Sequence, residues 1–202
     1  QLAVLLMSVV IHEVSHGFVA LWQGDPTAKF MGRLTLNPVK HLDMWGSFLV
    51  PLGLFIFSGG NFLFGWAKPV PYNPYNLRDK KWGAAMVGLA GPLSNFLLAI
   101  VFGTALRFFP EYSGMPFMQN LFHLFTIIVM LNLLLGVFNL VPIPPLDGSK
   151  LLFSILPPHM QNIRIMLERY GFIILLFFIF FAFQAVFPVI ENFFRLITGM
   201  SI

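Results

Sequence analysis

Cysteine is absent from this 202-residue chain. That rules out a disulfide framework and any thiolate metal site, so a bound metal would have to use nitrogen and oxygen ligands. Charge is scarce as well. Asp, Glu, Lys and Arg make up 10% of the residues against 57% hydrophobic, with a mean hydropathy of +0.81. This balance excludes an ordinary soluble domain and, with several long apolar runs, reads as a polytopic membrane protein. The formal net charge of +4 is small and scattered, too little for nucleic acid and better matched to anionic lipid. The chain opens on Gln1 without a basic stretch ahead of its first apolar run, so residues 1–22 are read as a span rather than a signal peptide. The length suits a single domain over 1–202. No internal repeat or low-complexity segment is visible.

Inside that first run, Leu2 to Trp22, lies His12-Glu13-Val14-Ser15-His16. On a helix, H-E-x-x-H puts two imidazoles one turn apart on one face, where both can reach one zinc ion. Glu13 is rotated away from ligation but stays close enough to polarise an attacking water. It is the only formally charged side chain of the run, and an ionisable residue there is a functional hypothesis by default. A catalytic zinc usually has three protein ligands and an open position, so a third ligand is expected elsewhere.

The topology narrows the search. Further spans are expected at Gly83–Phe109, Phe117–Leu140 and Tyr170–Phe187, which with the first makes about four. Met44 to Ser58, apolar but broken by Pro51 and Gly53, is expected as a re-entrant or short membrane helix. A full crossing would put the basic loops on its two sides in opposite compartments, against the positive-inside tendency. On this scheme ten of the twelve basic residues share one side, all but Arg107 and Arg195, and that side is the cytoplasm. Short strands are expected over Ala28–Leu36 and, as an edge only because of its two prolines, Gly65–Pro71. Such an edge can accept an extended substrate segment; a plain surface hairpin is the other reading. The fold class is thus an all-α polytopic membrane protein with a small β element at the cytoplasmic face. The phenylalanines between Phe172 and Phe194 suggest a lipid-facing helix and an interfacial tail. His123 is read as a packed or pore-facing residue, and His41 and His159 as loop or interface residues.

His12 and His16 fall in the inner half of the first span, so a partner must come from the inner end of another. Asn139-Leu140-Val141-Pro142-Ile143-Pro144-Pro145-Leu146-Asp147-Gly148 lies there, and Asp147 is the only carboxylate between Glu111 and Glu168. The prolines break the helix, leaving irregular backbone that is tolerated at membrane depth only where it is buried or lines a wet cavity. Gly148 is expected to permit the turn. Gly88, Gly91 and Asn95 share a face of the second span, and Asn132, Gly136 and Asn139 form a stripe on the third. Amides at Asn95 and Asn139 can bond a substrate backbone or an oxyanion; hydrogen bonds between helices are the other role open to them.

HEVSH, Gly91-Pro92-Leu93-Ser94-Asn95 and Asn139–Gly148 together resemble the three signatures of the site-2 protease family of intramembrane zinc metalloproteases. Gly32–Pro38 and Phe64–Pro71 are similar to a compact bacterial-type subgroup without PDZ or CBS domains, and the resemblance covers roughly Val10 to Leu152. It implies one Zn2+ per chain on His12, His16 and Asp147, Glu13 as general base, and Asn95 and Asn139 as substrate or oxyanion contacts. It further implies cleavage of a transmembrane segment of another protein, as in regulated intramembrane proteolysis. The enzyme would sit in a bacterial-type plasma membrane with its site toward the cytoplasm. A catalytically inactive relative that binds membrane segments is the rival reading, and Glu13 argues against it. A zinc transporter ranks last, because the sequence shows no second cluster of histidines and carboxylates.

Overall fold

The computed structural model describes residues 1–60, 68–108 and 116–200, and every regular element among them is helical. In chain order these are α1 (Leu2–Trp22), a single turn α2 (Thr27–Phe30), α3 (Val50–Phe57), α4 (Gly83–Phe108), α5 (Pro116–Asn139), α6 (Gly148–Ile155), α7 (Gln161–Phe177) and α8 (Phe187–Thr198). Helices α1, α4 and α5, and the run Gln161–Thr198, are each long and apolar enough to cross a bilayer. The 21 residues of α1 span about 32 Å at 1.5 Å per residue, the thickness of a hydrocarbon core. Large apolar side chains face outward along these helices, among them Phe18, Leu93, Leu97, Ile100, Phe172 and Phe181. Exposure on that scale is lipid-compatible surface, and the chain is an integral membrane protein.

Helix α4 is the hub, packed against α1, α5, α6 and α8. Its buried face is built from small residues, including Gly83, Ala85, Gly88, Ala90, Gly91, Ala99 and Gly103, which let backbones approach closely. One apolar core joins α4, α5 and α8 through Ala99, Leu106, Val129, Leu133, Ile190 and Phe194; a smaller one joins Ala20 of α1, Leu77 and Val87.

Three expectations are corrected. Over Ala28–Leu36 there is no strand: α2 and a turn at Gly32 (φ +63°) occupy the stretch. Asp25 decides this, because its Oδ1 accepts from both the Thr27 backbone N–H and the Thr27 hydroxyl, a turn of Asx type that leads the chain into α2. For Gly65–Pro71, residues 65–67 lie outside the described residues, and Lys68–Pro71 has no strand partner among them. The Lys68 N–H goes to His41 O and the Val70 N–H to the Glu13 carboxylate, while Pro69 and Pro71 have none to give. The last span also runs past Phe187. Helical backbone continues to Thr198 through a wide turn at Phe178–Ala182 and a tight one at Phe183–Val186, with Pro188 in the first turn of α8. Rather than an interfacial tail, α8 is docked in the bundle, with Ile190 1% and Phe194 3% exposed. Gly103 makes room for it: a Cβ there would lie 2.5 Å from Ile197 Cγ2. Two histidines also differ from expectation, His123 being exposed and His41 fully buried against Thr35 O.

The segment after α1 is tied down by Asp25, which is fully buried. Beyond Thr27 it accepts from the Asn73 N–H (2.6 Å) and the Asn76 side chain (2.9 Å), holding the chain that leads into α4 against the end of α1. Burial alone would push this carboxyl up, but the donors from Thr27, Asn76 and Asn73 outweigh it and hold the group below the ordinary carboxylate range. A depressed folded pKa contributes stability that is present above the unfolded value, near 3.9, and is lost as pH falls through the folded one. Asp25→Asn turns one acceptor into a donor facing the Asn73 N–H and should cost about 2 kcal/mol at neutral pH. Thermal unfolding in detergent checks this, and the gap to wild type should close as the pH drops below about 4.

Candidate metal centre

Helix α1 presents His12 and His16 on one face, as the i, i+4 spacing requires. Their rings meet edge to face with centroids 4.6 Å apart, and both residues are 6% exposed. Opposite them stands Asp147, immediately ahead of α6, after the turns that follow α5. Its Oδ2 lies 3.0 Å from Nε2 of His12 and 3.0 Å from Nε2 of His16. One ligand atom from each of the three residues falls within 4.8 Å of the others.

The far side of each ring explains its orientation. His16 Nδ1 is 2.6 Å from the backbone carbonyl of Val87, which can only accept, so Nδ1 carries the proton and Nε2 keeps its lone pair. His12 Nδ1 is 2.6 Å from Asn95 Oδ1, with the same consequence. Two imidazole lone pairs and a carboxylate oxygen therefore converge with no donor among them, and only a cation between them satisfies all three. Two nitrogens and one oxygen, each buttressed from behind, fit a zinc ion with an open position.

The packing around the ligands is close. Gly91 of α4 faces the rings, and a Cβ there would lie 2.5 Å from His12 Cε1 and Nε2 and from His16 Nε2. Gly88, one turn earlier, lies under the Lys150 stem, and a Cβ would come within 2.9 Å of Lys150 Cδ. Lys150 sits in the first turn of α6, where its Nζ donates to Asp147 Oδ1 at 2.7 Å and stands 5.4 Å from the centre of the Tyr72 ring. With Oδ1 held by the lysine, Oδ2 is the oxygen turned to the histidines. Gly148 is needed for closeness rather than for a turn conformation: a Cβ would lie 2.2 Å from Leu140 O.

The three residues line a cavity of about 170 Å³ together with Glu13, Lys150 and Asn139, closed on one side by Pro69, Val70 and Tyr72. Glu13 Oε2 accepts the Val70 N–H at 2.7 Å, which fixes the carboxylate at the cavity wall. Asn139 reaches the cavity while its Nδ2 donates to Leu135 O. Asn95 does not reach it. Fully buried, it spends Oδ1 on His12 and Nδ2 on Asn132. Lys150 was not legible as a site residue from sequence, although a helix starting just after Asp147 would place i+3 beside it. The Val87 carbonyl left no signal at all, since any residue carries one.

A buried His, His, Asp cluster with a carboxylate beside it, set among membrane-spanning helices, defines a membrane-embedded metal-dependent hydrolase. The family model of Peptidase family M50 matches residues 1–119 and 110–181. The chain belongs to that family, the site-2 proteases, and is a zinc metalloprotease. It is 40% identical over 85% of its length to YwhC of Bacillus subtilis (strain 168), whose name assigns it provisionally to the zinc metalloproteases, and covers 76% of that protein. It is 32% identical over 84% of its length to Rip2 of Mycolicibacterium smegmatis, similarly named, covering 62% of it. It is 31% identical over 75% of its length to the zinc metalloprotease MJ0392 of Methanocaldococcus jannaschii, covering 33% of that chain. No solved structure matches.

Proposed function

We propose that the chain, acting as one domain, is an intramembrane endopeptidase that cuts transmembrane segments of other proteins. In this reading His12, His16 and Asp147 hold its zinc, and Glu13 is the general base. The observation that carries it is the convergence of two imidazole lone pairs and one carboxylate oxygen on a single point, with Glu13 lining the same cavity. Bound zinc supplies Lewis acidity, activating water and polarising the peptide carbonyl. Glu13 takes the proton of the attacking water and returns it to the leaving amine. The Val70 N–H holds the carboxylate for that work, and Asn139 is the amide placed to bond the substrate carbonyl. Pro69, Val70 and Tyr72 shield the cleft from water.

A substrate helix hides its carbonyls in its own hydrogen bonds, so it must unwind before attack. Substrates should therefore carry helix-breaking residues near the cleaved bond. The site faces the cytoplasm of a bacterial-type plasma membrane, because most basic residues fall on that side of the span scheme. Met44–Phe57, 14 helical residues reaching about 21 Å, is too short to cross and lies in, or dips into, the same interface.

Zinc content of the detergent-purified protein tests the ligand set. Wild type should hold about one zinc per chain, and Asp147→Ala should fall to near zero after reloading and dialysis. Zinc retained in full without Asp147 would overturn that assignment.

A further inference from the structure

We infer that Asn132 is a positioning residue for the metal centre: acting through Asn95, it sets which ring nitrogen of His12 carries the proton. The inference rests on a polar chain that crosses three helices in the bundle interior. Asn132 on α5 donates from Nδ2 to the backbone carbonyl of Ile128, one turn earlier, at 2.8 Å, and to Ser8 Oγ on α1 at 2.9 Å. Its Oδ1 accepts from Asn95 Nδ2 on α4 at 2.8 Å. Asn95 Oδ1 in turn meets His12 Nδ1 at 2.6 Å. Asn95 and Asn132 are both fully buried, so water offers neither a substitute partner.

Each amide could by itself point either way, since its oxygen and nitrogen have the same shape. The direction of the chain comes from its far end. A backbone carbonyl can only accept, so Ile128 O requires the NH2 group of Asn132. That turns Asn132 Oδ1 to Asn95, which must answer with its own NH2 and so present Oδ1 to His12. An oxygen acceptor at Nδ1 keeps the proton of the neutral ring there, and the lone pair stays on Nε2, facing Asp147. Turning Asn132 over would set oxygen against oxygen at Ile128 and NH2 against NH2 at Asn95, and turning Asn95 over would set its oxygen against Asn132 Oδ1, in a place without water. His16 needs no such relay, because its Nδ1 partner is itself a backbone carbonyl. The two ligands are thus held in one tautomer by different means, His16 directly and His12 at two removes.

The part about zinc takes the ligand set from the proposed function; the part about the proton does not. The experiment reads both. In the zinc-free, detergent-purified protein, nitrogen NMR of 15N-histidine-labelled chain should show His12 protonated at Nδ1 in wild type, with His16 as the internal reference. Asn132→Leu should turn His12 into a mixture of tautomers, leave His16 unchanged, and weaken zinc binding about tenfold in a chelator competition. Ser8→Ala leaves Ile128 O in charge and should keep wild-type tautomer and affinity. A wild-type His12 carrying its single proton on Nε2 would overturn the inference even if Asn132→Leu failed to fold. So would an Asn132→Leu protein with wild-type tautomer and affinity, or a Ser8→Ala protein as impaired as Asn132→Leu. A wild type that bound no zinc would overturn the metal assignment while leaving the tautomer result to stand.

Discussion

Glu13→Gln should abolish most peptide hydrolysis while keeping the zinc, a loss of about 10²- to 10⁴-fold in turnover at one metal per chain. The geometry makes the substitution a clean one. In the native chain Oε2 accepts the Val70 N–H, which leaves the other carboxylate oxygen for the cavity. Glutamine can still accept from Val70 through its single oxygen, so the side chain keeps its place. What then faces the cavity is an NH2 group, which donates and cannot take a proton from water. Because Glu13 lies outside the ligand set, zinc content should not move. Cleavage of a model transmembrane substrate, read beside the metal content of the same preparation, checks both halves. Turnover within a factor of two of wild type would mean that the base lies elsewhere.

Gly91→Ala should do the opposite, removing zinc and activity together. The added methyl would sit 2.5 Å from atoms of both imidazoles, closer than non-bonded carbon and nitrogen can come. The rings have nowhere to retreat, because Asn95 and Val87 hold their Nδ1 atoms and belong to the same helix as Gly91. A displacement near 1 Å at such a centre costs about 10²-fold in rate, and zinc affinity should fall in step. Helix propensity argues the other way, since Ala for Gly inside a helix stabilises by about 1 kcal/mol. Undiminished helix content with lost metal would therefore locate the damage at the rings. Gly53→Ala, where a Cβ meets nothing within 4 Å, is the matching control in another helix and should change neither metal content nor turnover.

The legible parts of this protein are those where chemistry and local periodicity coincide. The i, i+4 histidines with an acid between them specify a helical face and a metal in one stroke, and the long uncharged runs specify spans. The prolines of Val141–Pro145 mark where α5 must stop, and Asp147 follows as the one carboxylate nearby. The strand expected over Ala28–Leu36 failed because alternation in nine residues is weaker than the side chain of Asp25, which captures Thr27 and leads the chain into α2. The outward tail expected around Phe194 failed because a phenylalanine reads the same against lipid as against protein. The groove at Gly103 that receives α8 is a property of two helices together.

The sequence by itself therefore determined the kind of chemistry, the donor set available to a metal, and the number of long apolar helices. These depend on residue types and on spacings within one element. Only the tertiary structure decided which groups stand behind the two histidines and Asp147. Asn95, Gly91 and the Val87 carbonyl come from α4, Lys150 from α6, and the strap at Val70 from the segment between α3 and α4. Contacts of that kind join residues as many as 83 positions apart in the case of Asn95 and His12, a distance over which no periodicity carries information. A backbone carbonyl, moreover, has no letter of its own. Orientation of the rings, and with it the lone pairs that face Asp147, is a product of packing.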